Sequence, residues 1–112
     1  MQLVSSDALH HRVEGTPTLT NAREARALLD DVLAGLATDA AAPEHKLELS
    51  LGGVKDGNSV LVSLMLVWLR RARHAGVGIL FVDIPPLVMN LIEFTGLDEV
   101  LPMASGTAGQ PA

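Results

Sequence analysis

The stretch from Lys46 to Gly76 constrains the fold most, because it has the pattern of a strand, a glycine-rich loop and a helix. Leucines at every second position from Leu47 to Leu51 alternate with polar residues, which predicts a strand with one covered face. Three glycines then break the alternation. A helix is predicted from Ser59, and Gly76 lies near the position after a helix that glycine favours.

The predicted helix is apolar around more than half of its circumference. One stripe is made by Val60, Leu61, Leu64, Met65 and Trp68, and it is widened by Val62, Leu66 and Leu69. A surface helix normally carries one apolar stripe. We therefore expect this helix to be covered on more than one side, and another protein is a candidate for the second cover.

Cationic side chains follow at the C-terminal end of this helix: Arg70, Arg71, Arg73 and His74. Cations at a helix C-terminus complement the helix dipole. We interpret these residues as charges that complement the dipole and lie on a solvated face. A patch that binds lipid phosphate is the less favoured alternative.

Composition narrows the function classes. The chain has 112 residues, enough for one domain with one core. Aromatic residues make up 3% of the chain and the formal net charge is −5, so it lacks the stacking platforms and basic groove of a nucleic-acid-binding protein. Cysteine is absent from the sequence, which excludes disulfides and thiolate chemistry and favours a reducing compartment.

The sequence predicts neither a membrane span nor a leader peptide. The N-terminal segment lacks the basic and apolar regions of a signal peptide. The longest apolar run, from Val60 to Leu69, is about half of the ~20 residues that a membrane-spanning helix needs. We expect a soluble, cytoplasmic protein.

The segment before the central strand is predicted to hold two short strands and one helix. Residues 1–7 are polar and are expected to be a frayed N-terminus. Alternation from Leu9 to Val13 predicts a strand, and Thr16 to Leu19 is a candidate second strand. A helix is expected to begin at Asn21, with Glu24 completing a capping box.

The segment after the central helix is predicted to hold one strand and one helix. The apolar run from Val77 to Ile84 is typical of a strand that is buried on both faces or lies inside a mixed sheet. A third helix follows Pro85-Pro86 and ends at Gly96, and Val100-Leu101 is a candidate edge strand. Residues 103–112 are expected to be a disordered tail.

The predicted order β-β-α-β-α-β-α indicates an α/β fold. It would be a single small domain over residues 8–102, a mixed β-sheet with helices packed mainly on one face.

Catalytic and metal-binding chemistry has little support in the sequence. No nucleophile is paired with a base, and no Gly-Lys-Ser/Thr follows the glycines as a phosphate loop requires. His10 and His11 would point to opposite faces of a strand, while His45 and His74 are isolated. We therefore expect no enzyme activity, no bound metal and no cofactor.

Several of these motifs together resemble a STAS domain, the sulfate transporter and anti-sigma-factor antagonist family. They are the strand, the small-residue loop, the apolar helix that ends Trp-Leu-Arg-Arg-Ala-Arg-His-Ala-Gly, and the later Gly-Leu-Asp-Glu-Val-Leu-Pro. The resemblance covers roughly residues 8–102. It is strongest to the MlaB-like branch, which comprises the cytoplasmic STAS subunits of phospholipid ABC transporters.

The resemblance also assigns roles to residues. The family signature Asp-Ser/Thr-x-Gly, whose hydroxyl is phosphorylated in anti-sigma-factor antagonists, corresponds here to Asn58-Ser59-Val60-Leu61. On residue type alone, Ser59 would more often be a helix cap. In MlaB-like proteins this loop and helix dock on the ATPase, which implies partner contacts by Asp56, Gly57, Asn58, Ser59, Leu61, Val62 and Met65.

Three functions follow from the resemblance. The first is a non-catalytic subunit that binds and regulates or stabilises the ATPase, and through it the permease, of a transporter that maintains outer-membrane lipid asymmetry. It would be peripheral to the inner membrane through that partner. The second is an anti-sigma-factor antagonist that binds a serine kinase and is switched by phosphorylation of Ser59. The third is a STAS module that binds a nucleotide or lipid in the loop before the helix. A homodimer is left open in each case.

Overall fold

Four strands form one mixed sheet. The computed structural model describes residues 1–7, 9–37 and 46–103. The strands are β1 (Gln2–Ser5), β2 (His10–Gly15), β3 (Lys46–Val54) and β4 (Gly78–Val82), in the spatial order β1-β2-β3-β4. β1 is antiparallel to β2, whereas β2, β3 and β4 are parallel.

The helices surround one central helix. They are α1 (Ala22–Ala25), α2 (Asp30–Ala37), α3 (Ser59–Ala75) and α4 (Pro86–Thr95), followed by a 3₁₀ turn at Leu97–Glu99. α1, α2 and α4 each contact α3. Among the described residues, no helix combines the length and the apolar character needed to cross a membrane.

Burial alternates along the strands, so the sheet has one covered face and one open face. Leu47, Leu49 and Leu51 on β3 are fully buried, while Glu48 and Ser50 between them are partly exposed. These features confirm the predicted α/β fold with a mixed sheet and helices on one face. Of the two placements expected for the Val77–Ile84 run, the strand in a mixed sheet is found, and burial on both faces is not. On β4, Ile79 and Phe81 are buried, but Leu80 and Val82 lie half-exposed on the open face.

The N-terminal strand differs from the sequence prediction. Gln2–Ser5, expected to be frayed, pairs with β2 and brings Leu3 opposite the buried Val13. Ser5 Oγ also lies 2.7 Å from His11 Nδ1. The candidate strand at 16–19 is wrong, because residues 16–18 are irregular and Leu19 begins a turn that leads into α1.

The helix predicted from Asn21 is divided in two. Asn21 forms no capping hydrogen bond; its side chain instead accepts from Thr18 N–H and donates to the Thr16 carbonyl. Hydrogen bonds change from the i→i−4 to the i→i−3 pattern at residues 27 and 28, where α1 gives way to a turn before α2. At this break the Ala25 carbonyl also accepts a 2.9 Å hydrogen bond from the buried Trp68 indole.

The C-terminal part returns to the sheet. Met103 forms an isolated parallel bridge with Phe81, so the predicted tail begins later than residue 103. Val100 and Leu101, the candidate edge strand, are in a turn and a bend. The rest of the predicted tail, residues 104–112, lies outside the described residues.

Helix α3 is covered largely by its own chain. Its buried residues are Leu61, Val62, Leu64, Met65, Trp68, Leu69 and Ala72. Strand β4 and the helices α1, α2 and α4 all contact it. Arg71 of α3 also forms a 2.8 Å ion pair with Asp30 of α2. Since the chain itself covers most of the apolar circumference, that excess does not by itself require a partner.

We expect Trp68→Phe to lower the free energy of unfolding by about 1–3 kcal/mol, because it removes a buried hydrogen bond and some packing. Urea denaturation followed by far-UV circular dichroism would measure this change, since Trp68 is the only tryptophan. The highly exposed Leu19 offers a control, Leu19→Ala, which should leave stability nearly unchanged. An unchanged midpoint for Trp68→Phe would contradict the role of the indole hydrogen bond.

Candidate protein-interaction site

The loop at residues 55–58 joins β3 to α3 in a defined conformation. Asp56 adopts a left-handed backbone with φ of 54°, a conformation that Asp tolerates better than most residues. Asn58 caps α3, because its side-chain oxygen accepts a 2.9 Å hydrogen bond from Val60 N–H. The loop therefore ends in a regular helix start.

Asn58 also joins the loop to a second segment. Its amide nitrogen donates to the Pro17 carbonyl at 3.2 Å and to the Asp56 carbonyl at 3.3 Å. A carboxylate at this position could still cap the helix, but it has no N–H to donate to either carbonyl. The structure thus gives a physical reason for an amide where the family signature has an acid.

Gly57 allows the loop to lie against α4. A Cβ atom at this position would lie 2.4 Å from Val88 Cγ2, which is shorter than any real contact of this kind. The start of α3 and the start of α4 are therefore neighbours. The loop is positioned from two directions, by the Pro17 segment and by α4.

Ser59 is the first residue of α3 and it is exposed. It does not cap the helix, since Asn58 does, and its hydroxyl has no hydrogen-bond partner among the described residues. Ser63 is exposed one turn later on the same face, and Leu87 beside Val88 is 63% exposed. We call Asp56, Ser59, Ser63 and Leu87 the α3 N-terminal surface.

The structure separates the seven residues predicted to contact a partner into two groups. Asp56 and Ser59 are exposed, and Gly57 and Asn58 are partly exposed. Leu61 and Met65 are 0% exposed and Val62 is 7% exposed, all three within the hydrophobic core. For these three the predicted exposure is corrected: they belong to the hydrophobic core, so they can support the site only by holding α3 in place.

Sequence reasoning missed Ser63 and Leu87. The spacing of four residues from Ser59 was a signal for Ser63, because residues i and i+4 share a helix face. Leu87 had no comparable signal, since its neighbour Val88 is fully buried and both belong to one apolar run.

The described residues show little that resembles a metal or catalytic centre. No group of three or more His, Cys, Asp or Glu side chains among them is placed to hold a metal ion. The hydrogen bond between His10 and Asp7 raises the pKa of His10 and lowers the pKa of Asp7, at an exposed position on the sheet. The Ser5–His11 contact was not predicted, because it depends on the pairing of β1 with β2. It connects two adjacent strands.

We expect Asn58→Asp to lower the free energy of unfolding by about 1–2 kcal/mol, because it keeps the helix cap but loses two donated hydrogen bonds. Chemical denaturation would measure the difference. Asn90→Asp, at an exposed position on α4, makes the same chemical change without these partners and should have little effect. Equal stability of Asn58→Asp and the wild type would show that the Pro17 contact does not hold the loop.

Leu61→Asp should prevent stable folding, because it places a carboxylate in a fully buried position without a partner and costs several kcal/mol. Thermal melts of Leu61→Asp and of Ser63→Asp, its exposed neighbour on α3, provide the comparison. If the Leu61→Asp variant folds and has the melting temperature of the wild type, Leu61 lies at the surface and its assignment to the core is wrong.

Comparisons with known proteins bear on this arrangement. The family model described as "Mlab, STAS domain" matches residues 10–102. Among solved structures, the anti-sigma factor antagonist SpoIIAA in its unphosphorylated form is similar, with a TM-score of 0.57 and 14% sequence identity over 88% of this chain and 96% of that one. At this identity the similarity shows a shared fold only. No curated protein is similar enough in sequence to count as a match. Since the family model covers most of the chain, the protein belongs to the MlaB-like STAS domain family.

Proposed function

We propose that the protein is a non-catalytic STAS subunit that binds the cytoplasmic ATPase of a phospholipid ABC transporter and regulates or stabilises it. The family match supports the MlaB-like assignment. The observation that carries the proposal is the α3 N-terminal surface: a loop held on two sides precedes an exposed Ser59, whose hydroxyl has no hydrogen-bond partner among the described residues, and the start of α4, with its exposed Leu87, packs against that loop.

The geometry of this surface suits protein binding. A loop that is already ordered loses less conformational entropy when a partner binds. Ser59 and Ser63 are small, so a partner backbone can approach α3 closely, and Leu87 provides an apolar anchor of the kind that concentrates binding energy near an interface centre. Asp56 lies on the loop beside Ser59 and contributes a charge for a cationic partner residue.

In this proposal the protein is cytoplasmic and peripheral to the inner membrane through the ATPase and its permease. Its role in maintaining outer-membrane lipid asymmetry would be exerted through that contact. Leu61, Val62 and Met65 would act indirectly, by fixing the position of α3 within the core.

A second candidate is an anti-sigma-factor antagonist that is switched by phosphorylation of Ser59. The exposed hydroxyl at the first position of α3 supports it, because the helix dipole stabilises a phosphate there. Asp56 opposes it by repulsion between like charges. Neighbouring genes for a permease, an ATPase and a periplasmic lipid-binding protein would favour the first function, whereas a kinase and a sigma factor would favour the second.

We expect Ser59→Glu and Leu87→Ala each to weaken binding to the ATPase by about tenfold or more, through a buried charge and a lost anchor respectively. The measurement is an affinity pull-down of tagged protein from its native cell, read by mass spectrometry, followed by calorimetry with the recovered ATPase. Ser6→Glu and Val4→Ala make matched changes at exposed positions away from α3.

Unchanged affinity for both site variants would exclude the α3 N-terminal surface as the contact. Recovery of a serine kinase, with phosphate on Ser59, would assign the protein to the second function.

A further inference from the structure

A groove lies along the C-terminal half of α3, separate from the α3 N-terminal surface. Its volume is about 400 Å³, and we call it the basic groove; it is lined by Leu66, Leu69, Arg70, Arg73, His74 and Val100. Leucine and valine side chains contribute the apolar part, and Arg70, Arg73 and His74 are exposed, with the two arginines supplying positive charge. An apolar groove with a cationic rim suits an acidic and apolar occupant.

The cations of the groove have no partner within the described residues. Arg71, their neighbour on α3, pairs with Asp30, but no ion pair or side-chain hydrogen bond joins Arg70, Arg73 or His74 to another described residue. The α3 dipole accounts for favourable placement of Arg73 and His74 in the last turn. It does not account for their position around an apolar groove.

An exposed aromatic residue with acidic neighbours lies close to the groove in the sequence of the same chain. Phe94, at the end of α4, is 90% exposed, the highest exposure among the large apolar residues described. Exposed acidic residues surround it in sequence, and we call the group the acidic knob: Glu93, Phe94, Asp98 and Glu99. Glu93 is unfavourable for α4 itself, because a negative charge near a helix C-terminus opposes the dipole. No ion pair within the described part of the chain involves these three acids.

The two features adjoin each other, because Val100, which lines the groove, directly follows Glu99 of the knob. A two-fold symmetric contact joins the same patch on both copies, so that residue i contacts residue j and residue j contacts residue i. Such a patch must contain both complementary features, here the groove and the knob. We propose that the basic groove binds the acidic knob of a second copy of this chain. Phe94 of each copy enters the apolar part of the other copy's groove, and the acids face Arg70, Arg73 and His74.

This contact would leave the α3 N-terminal surface free. Ser59 and Arg73 are separated by roughly 21 Å along the helix, at a rise of 1.5 Å per residue. The proposal does not rest on the transporter assignment, because self-association can be measured without any partner. A patch of this size is at the low end of specific interfaces, so we expect weak association, with Kd on the order of 10–100 μM.

Sedimentation equilibrium of the wild-type chain up to about 500 μM tests the proposal first, and a monomer–dimer equilibrium is expected. Phe94→Ala should raise the dissociation constant by about tenfold or more, as an interface centre requires. Leu19→Ala is the matched control, because Leu19 is 87% exposed at a site before α1. A wild type that stays monomeric, or a Phe94→Ala variant that dimerises normally, would overturn the proposal.

Charge reversal tests the pairing itself. The double variants Arg70→Glu/Arg73→Glu and Glu93→Lys/Glu99→Lys should each be monomeric alone, because like charges then face each other. Mixed together they should form a heterodimer, since each half of the contact becomes complementary again.

Arg23→Glu/Arg26→Glu controls for net charge, because it makes the same charge change at exposed positions in the α1 region. Because its groove and knob are unchanged, this control should self-associate as the wild type does. A control that becomes as monomeric as Arg70→Glu/Arg73→Glu would show a general effect of net charge and overturn the proposal. A monomeric wild type that binds phosphatidylglycerol vesicles through Arg70 and Arg73 would overturn it also, and would assign the groove to a lipid phosphate.

Discussion

Burial of α3 in one hydrophobic core with the leucines of β3 is the interaction on which the rest of this structure depends. Leu47, Leu49 and Leu51 have no exposed surface, and neither do Leu61 and Met65 of the helix. Burial of each such side chain is worth about 1.5–3 kcal/mol, so these contacts dominate the stability of so small a domain. The neighbouring helices and the site are built around this contact.

The site follows from that arrangement. Because α3 is fixed by its buried face, its first turn and the loop before it have a defined position, and Asn58 and Gly57 set the loop against Pro17 and α4. What is left at the surface is small and polar, with Leu87 as the apolar exception. Partner recognition can therefore act on a preformed shape, and its chemistry depends on few side chains.

The regular patterns in the sequence were sufficient to predict the fold class. The period-two leucines of β3 and the long apolar helix predicted a mixed α/β domain, and the small-residue loop with its neighbours pointed to the STAS family. The prediction of partner residues was less accurate for a physical reason. Helix periodicity shows which side chains are apolar, but it does not show whether the sheet, α4 or another protein covers each side of α3.

Long-range pairing explains the other differences. Gln2–Ser5 has no strong strand pattern, and it forms β1 only because β2 offers a free edge and places Val13 opposite Leu3. The division of the first predicted helix lies where Trp68, more than 40 residues away in sequence, donates a hydrogen bond to the Ala25 carbonyl. Neither partner is visible in a local window of sequence, so local propensity could not have supplied these features.

The mixed strand order has a consequence for folding kinetics. β1 and β2 are antiparallel and close together in sequence, so they pair at little entropic cost. The parallel pairs β2–β3 and β3–β4 each require a crossover through helices before any of their contacts form. Non-local pairing of this kind slows folding. We therefore expect the rate-limiting step to include the packing of α3 over the sheet and the pairing of β3, which lies between two parallel strands.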